Sequence, residues 1–237
     1  MWSPALINLA LAALASAHIV LTYPGTRGNN LITNDSWPFG MQWDYPCGGL
    51  GTSRNRTYWP TTGGAISYQP GWESGHMMAM SQINLGYGTD GPDNGPKNMS
   101  NIMVKPFQIL GPTNAAYPGT ICLPQVPLPA GAQVKAGDLA TIQVVELAQH
   151  GGALYACVDI IFVEPNDPRL PEVNETNCFN SSHIGFADVY TIVTKPPILN
   201  NPVIALSAAA KSTYRFFLGS MGWLPLLAGA LWFTIGA

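Results

Sequence analysis

Two apolar, charge-free stretches bracket this 237-residue chain and confine any fold to what lies between them. Residues 1–17 read MWSPALINLALAALASA. This Leu/Ala run is shorter than the ~20 residues a membrane span needs, and it closes on the small residues Ala15-Ser16-Ala17, the pattern of a secretory signal peptide with an A-x-A cleavage site. Residues 216–237 read FFLGSMGWLPLLAGALWFTIGA. Ahead of them stand the small residues Ser207, Ala208, Ala209 and Ala210 and a short polar spacer running from Lys211 to Arg215. Small site, spacer and apolar tail in that order are expected of a glycosylphosphatidylinositol (GPI) attachment signal, with Ser207 as the attachment residue and the tail removed. The expected layout is therefore a signal peptide at 1–17, a single domain at 18–194, a stalk and attachment region at 195–215 and a tail at 216–237. Processing at both ends leaves about 190 residues, the size of one domain.

The middle of the chain reads as all-β. Gly (25) and Pro (21) are abundant, only 10% of residues are charged, and no segment sustains a helical period. Candidate strands fall at residues 19–23, 65–68, 77–85, 102–109, 139–145 and 153–163, separated by Gly, Pro and Asn. The segments 86–96 and 123–129 read as ordered surface loops. A β-sandwich fits this spacing better than a barrel. Ten Lys+Arg against thirteen Asp+Glu give a net charge of −3 without a basic cluster, which argues against nucleic acid as a partner.

Passage through the secretory route gives meaning to two further patterns. Cys47, Cys122, Cys157 and Cys178 are even in number and contain no CxxC pair, so two disulfides are expected in an oxidising compartment, with three connectivities open. Asn34, Asn55, Asn98, Asn174 and Asn180 each begin an Asn-x-Ser/Thr sequon and are expected to carry glycans.

The residue that carries most chemistry is His18, because cleavage after Ala17 makes it the first residue of the processed chain. A terminal His chelates through its α-amine and its ring Nδ1 together, which no internal His can do. The amine titrates near ~8 and must lose its proton to ligate, so binding weakens as pH falls. One more imidazole gives three nitrogens in a plane, a set that selects Cu(II). His76, in Gly75-His76 at the mouth of the strand read at 77–85, is the candidate for that second imidazole. His183 shows no partner pattern and reads as a surface residue.

Several features occur together: a leader that stops directly before His, Gly75-His76 running on to Ile83-Asn-Leu-Gly86, the segment CLPQVPLP from Cys122, the segment ALYACVDI from Ala153, and a GPI-type tail. In this order they resemble the fungal copper acquisition factors, copper-binding proteins related to lytic polysaccharide monooxygenases. The resemblance covers essentially the whole processed chain. It implies an immunoglobulin-like β-sandwich and a histidine-brace site for Cu(II) made by His18 and His76. It also implies copper uptake at the cell surface rather than polysaccharide cleavage, with a plasma-membrane copper transporter as the acceptor and the GPI anchor as the link to the membrane. Family members commonly add an Asp ligand. Asp159, in the ALYACVDI segment, and His150, in the loop leading into it, are the two candidates here. By strand alternation Asp159 shares a side with Tyr155 and Cys157.

Three functions compete at this level: a non-catalytic copper carrier, a copper-dependent polysaccharide monooxygenase, and a wall or adhesion protein. The second needs a flat, often aromatic substrate face, for which Trp37, Trp43, Trp59 and Trp72 are available. Cell-wall polysaccharide is then a further partner. Glycans on Asn34 and Asn55 close to His18 would obstruct such a polymer, which favours the carrier.

Overall fold

A computed structural model describes residues 19–28, 42–71, 75–115 and 119–189. Nine strands occur among them, in two sheets. The smaller sheet contains β1 (Val20–Tyr23), β3 (Gly64–Gln69) and β6 (Ile121–Val126) in the order β1-β3-β6. The larger contains β2 (Thr57–Pro60), β4 (Met80–Tyr87), β5 (Asn101–Leu110), β7 (Leu139–Leu147), β8 (Ala153–Val163) and β9 (Gly185–Asp188) in the order β2-β8-β7-β4-β5-β9. The pairing is antiparallel except between β2 and β8. The fold is an all-β sandwich of the immunoglobulin-like kind.

Strand alternation builds the core. On β7, Ala140, Ile142 and Val144 face inward, and on β8 Leu154, Ala156, Val158, Ile160 and Phe162 do the same. They meet Leu21, Ile66 and Tyr68 of the smaller sheet and Ile19 just ahead of β1, with Trp59 packed edge-on against Phe162 at 6.2 Å. Each residue in the opposite phase lies on the outer face of the larger sheet. There Gln143 donates to the Pro46 carbonyl, and Cys157 joins Cys47, so the segment that begins at residue 42 covers that face. The second disulfide is Cys122–Cys178.

Four sequence expectations are corrected. Residues 123–129 are not wholly a loop, because Ile121–Val126 pairs with β3 as an edge strand, where Pro124 is tolerated. The strand expected at 77–85 begins only at Met80, since residues 76–79 form a turn in which the His76 carbonyl accepts from Ala79 N–H at 3.2 Å. The loop read at 86–96 starts two residues later, because Gly86 and Tyr87 close β4, and it includes a short 3-10 turn, Pro92–Asn94. Trp59 is fully buried, so it furnishes no substrate face; Trp43 is 46% exposed, and Trp37 and Trp72 lie outside the described residues.

Candidate metal centre

At the end of the sandwich where β4 begins and β7 ends, three side chains meet. His76 precedes β4 and is fully buried; Glu146, also fully buried, sits opposite Ser81 in the β7–β4 register. His76 Nδ1 bonds Glu146 Oε1. The other ring nitrogen, His76 Nε2, lies 3.1 Å from His150 Nε2, with the ring centroids 4.9 Å apart. His150 stands in the exposed turn between β7 and β8.

Local sequence explains how these groups come together. Glu146 occupies the same inward phase as Ile142 and Val144, so the strand aims its carboxylate into the sandwich. Gly71 gives the His76 ring its room: a Cβ there would lie 2.7 Å from the imidazole. Gly75, at φ +98°, turns the chain into His76, and its carbonyl accepts from Gln149 N–H at 2.7 Å, tying the His150 turn to that loop. The turn itself is closed by Ala148 N–H to the Gly152 carbonyl and Gly151 N–H to the Ala148 carbonyl, both at 2.9 Å.

The backbone fixes the direction of every bond in this row. Gly152 N–H donates to His150 Nδ1 at 3.3 Å, so in the neutral ring the proton of His150 is on Nε2. That N–H faces His76 Nε2, which must accept, leaving the His76 proton on Nδ1 to be donated to Glu146. Burial pushes the Glu146 carboxyl upward, and the hydrogen bonds from His76 and the Gly71 N–H oppose this. A carboxylate on the back nitrogen of an imidazole sets the tautomer and strengthens the forward nitrogen as a donor, the arrangement that supports metal-bound histidines.

The donor set fits a metal such as copper as far as it is described. Two nitrogens at ~2.0–2.1 Å from one ion and roughly a right angle apart are separated by about 3 Å, which is the spacing of the two Nε2 atoms. Among the described residues no group of three or more His, Cys, Asp or Glu converges on one metal position, so the two imidazoles form a fragment of a site. His18 lies outside the described residues. Its neighbour Ile19 is buried, and Val20 pairs with Gln69, two residues before Gly71 and its contact with His76. Gln42 also reaches this end: its side chain donates to the Ile19 carbonyl, and its own carbonyl accepts from Tyr155 N–H, each at 2.7 Å.

Asp159 is not part of this group. It pairs with Thr141, on the outer face of the larger sheet and well along β8 from Leu154, the residue opposite Glu146. Its two carboxylate oxygens take Arg27 Nε and Nη2 at 2.8 and 2.7 Å, Ser53 N–H at 2.8 Å and the Thr141 hydroxyl at 2.6 Å. That set saturates the group in a buried ion pair. Asn55 lies near the Asp159 level of the fold, so a glycan there does not obstruct the histidines; Asn34 and Ser207 lie outside the described residues. His183 is exposed in a turn, as expected. The residue that sequence reasoning missed is Glu146, and the available signal was an acid in the apolar phase of a strand.

Comparison with known proteins agrees with this architecture. Residues 16–183 match the family described as copper acquisition factor BIM1-like. Among curated relatives, the lytic polysaccharide monooxygenase-like protein X325 of Hypocrea jecorina is 69% identical, over 97% of this chain and 98% of that protein. The lytic polysaccharide monooxygenase-like protein ham-7 of Neurospora crassa is 60% identical over 99% of this chain and all of that protein. A more distant relative, the X325 protein of Yarrowia lipolytica, is 33% identical over 65% of this chain. A sandwich with paired histidines at one end and a family match spanning it together assign the chain to the BIM1-like copper acquisition factor family.

Proposed function

We propose that this chain is an extracellular Cu(II)-binding protein, held at the outer face of the plasma membrane by a GPI anchor, that takes up copper as cargo without oxidising a polysaccharide. The single observation that carries the reading is the convergence of His76 and His150, backed by Glu146, at the sandwich end where Ile19 begins the described chain. His18, freed by cleavage after Ala17, supplies the amine and ring nitrogen that complete the set. The family match supports copper as the cargo; the leader, the tail and the small residues around Ser207 support the route to the surface.

In this reading His76 is the fixed ligand, because Glu146 holds its proton on Nδ1. His150 is the adaptable one. Ligation through its Nε2 moves the ring proton to Nδ1 and gives up the bond from Gly152 N–H. Asp159 has no part in binding. Removal of the ion leaves His150 to cap His76 Nε2, so the emptied site keeps its shape and satisfies its own donors. A membrane copper transporter is the acceptor that this placement serves.

The test combines stoichiometry with activity. Secreted, tail-less protein titrated with Cu(II) binds one equivalent, His76→Ala abolishes tight binding, and copper-loaded protein with a reductant and peroxide releases no oxidised oligosaccharides from cellulose, chitin or β-glucan. Oxidised products that disappear in His76→Ala would replace the carrier with a monooxygenase.

A further inference from the structure

Four sequons lie among the described residues, and the fold treats one of them differently. Asn98 Oδ1 accepts from the Ser100 N–H and hydroxyl at 3.2 and 2.6 Å, and Asn174 Oδ1 accepts from the Thr176 N–H and hydroxyl at 2.9 and 2.5 Å. In both, the oxygen is folded back onto the sequon hydroxyl, the residue is exposed, and no bond runs from Nδ2 to a described residue. Asn55 is exposed as well and lines an open polar cleft with Arg54, Arg56 and Tyr58. Asn180 instead uses both ends of its carboxamide on one residue: Oδ1 accepts from Cys122 N–H at 2.9 Å, and Nδ2 donates to the Cys122 carbonyl at 3.2 Å. Ser181 repeats the pattern on Thr120, donating its N–H to the Thr120 carbonyl at 2.9 Å and accepting Thr120 N–H on Oγ at 2.7 Å. The pair thereby covers the free edge of β6, the outermost strand of the smaller sheet, beside the Cys122–Cys178 disulfide.

The geometry of the amide makes that contact incompatible with a sugar. A carboxamide that engages the N–H and the C=O of one residue must use the Nδ2 hydrogen on the same side of its C–N bond as Oδ1. An N-linked glycan converts the group to a secondary amide, which is trans, and a trans amide carries its substituent on that same side. The anomeric carbon would therefore replace the one hydrogen that faces Cys122.

We propose that Asn55, Asn98 and Asn174 carry N-linked glycans while Asn180 stays unmodified, its carboxamide serving as an edge cap on β6. The inference rests on the secretory route proposed above. It also concerns the metal end. Ile121 is opposite Tyr68, whose hydroxyl donates to Ser81, the residue opposite Glu146, so the Asn180 cap lies toward the histidines. Asn98 precedes the other end of β5, roughly 20 Å along that strand from the Gln108–Met80 pair, and Thr57, which closes the Asn55 sequon, pairs with Ile160, roughly 20 Å along β8 from Leu154. Sugar on Asn55 and Asn98 leaves the histidine end bare.

The test is a peptide map of the full chain secreted from a glycosylating eukaryotic host and released with peptide N-glycosidase in heavy-oxygen water, which marks each formerly glycosylated Asn. The expected result is marking of Asn55, Asn98 and Asn174 in most molecules and of Asn180 in fewer than about one in ten. Marking of Asn180 at the level of the others overturns the proposal. So does an absence of marking everywhere, and the N-terminal peptide of the same map then separates the causes: a start at Met1 means that the secretory reading failed, whereas a start at His18 means that only the glycan assignment did. A second variant guards against misfolding: Ser182→Ala destroys the sequon but keeps the Asn180 carboxamide, so the glycoprotein mass falls by the substitution alone, and loss of a whole glycan contradicts the proposal.

Discussion

His150 Nε2 sits 3.1 Å from His76 Nε2, and both rings are oriented by groups behind them, Gly152 N–H for one and the Glu146 carboxylate for the other. In the metal-free protein this predicts opposite tautomers, with the proton on Nε2 in His150 and on Nδ1 in His76. Long-range ¹⁵N–¹H correlation spectra at neutral pH read both directly. The reverse assignment would contradict the bond directions described above.

Glu146→Gln keeps the shape of the side chain but removes its charge, so the tautomer and donor strength of His76 lose their support. Cu(II) affinity is expected to fall ~10–100-fold, the usual effect of removing such a partner. A competition titration against a chelator of known affinity measures it. Unchanged affinity would mean that the carboxylate is only a packing element.

Asp159→Ala acts differently. It leaves the Arg27 guanidinium, 5% exposed, without its bidentate partner, and a broken buried pair costs about 3–5 kcal/mol. Urea denaturation shows that loss, while the folded variant still binds one Cu(II). A lost copper equivalent in the folded protein would restore Asp159 as a ligand.

Tyr68 predicts an alkaline limb. Burial holds its hydroxyl well above the ordinary 10.0, the Ser81 hydrogen bond partly opposes this, and the Glu146 charge adds to it. A phenol raised by folding contributes stability that is intact below pH 10 and lost as pH climbs beyond it. Wild type therefore loses stability above about pH 10 more steeply than Tyr68→Phe, which costs about 1 kcal/mol at neutral pH. Parallel alkaline limbs in the two proteins would contradict it.

The Cys47–Cys157 bridge closes a separation of 110 residues, and by chain entropy it contributes about 4–5 kcal/mol. Replacing both cysteines with Ala lowers the urea midpoint accordingly, and a change under about 1 kcal/mol would show that the covering segment is held by its hydrogen bonds instead.

Much of this fold was legible in the sequence because local alternation and burial agree. β7 and β8 are β-branched runs in which each second residue faces the core, and both were read at the right place. β2 escaped because it is four residues long, ends at Pro60 and is held by a parallel partner about a hundred residues away, a relationship that no local pattern encodes. β6 escaped because Pro124 breaks its propensity, although an edge strand tolerates it. At the site, His76 was legible from its place before a strand, and His150 from the loop that leads into β8. Which of His150 and Asp159 stands beside His76 was not, because it depends on which face of the larger sheet Asp159 takes and on Arg27 being there to meet it. Glu146 lies one residue past the strand read at 139–145, and its signal was its phase, which matches Ile142 and Val144.

Whether the terminal amine of His18 completes the copper site is read by electron paramagnetic resonance. Secreted, tail-less protein with one equivalent of Cu(II) is compared with a form carrying one extra Ala before His18. An axial spectrum with coupling to several nitrogens is expected in the first and its collapse in the second; identical spectra, or no specific binding in either, would show that the amine is not a copper ligand.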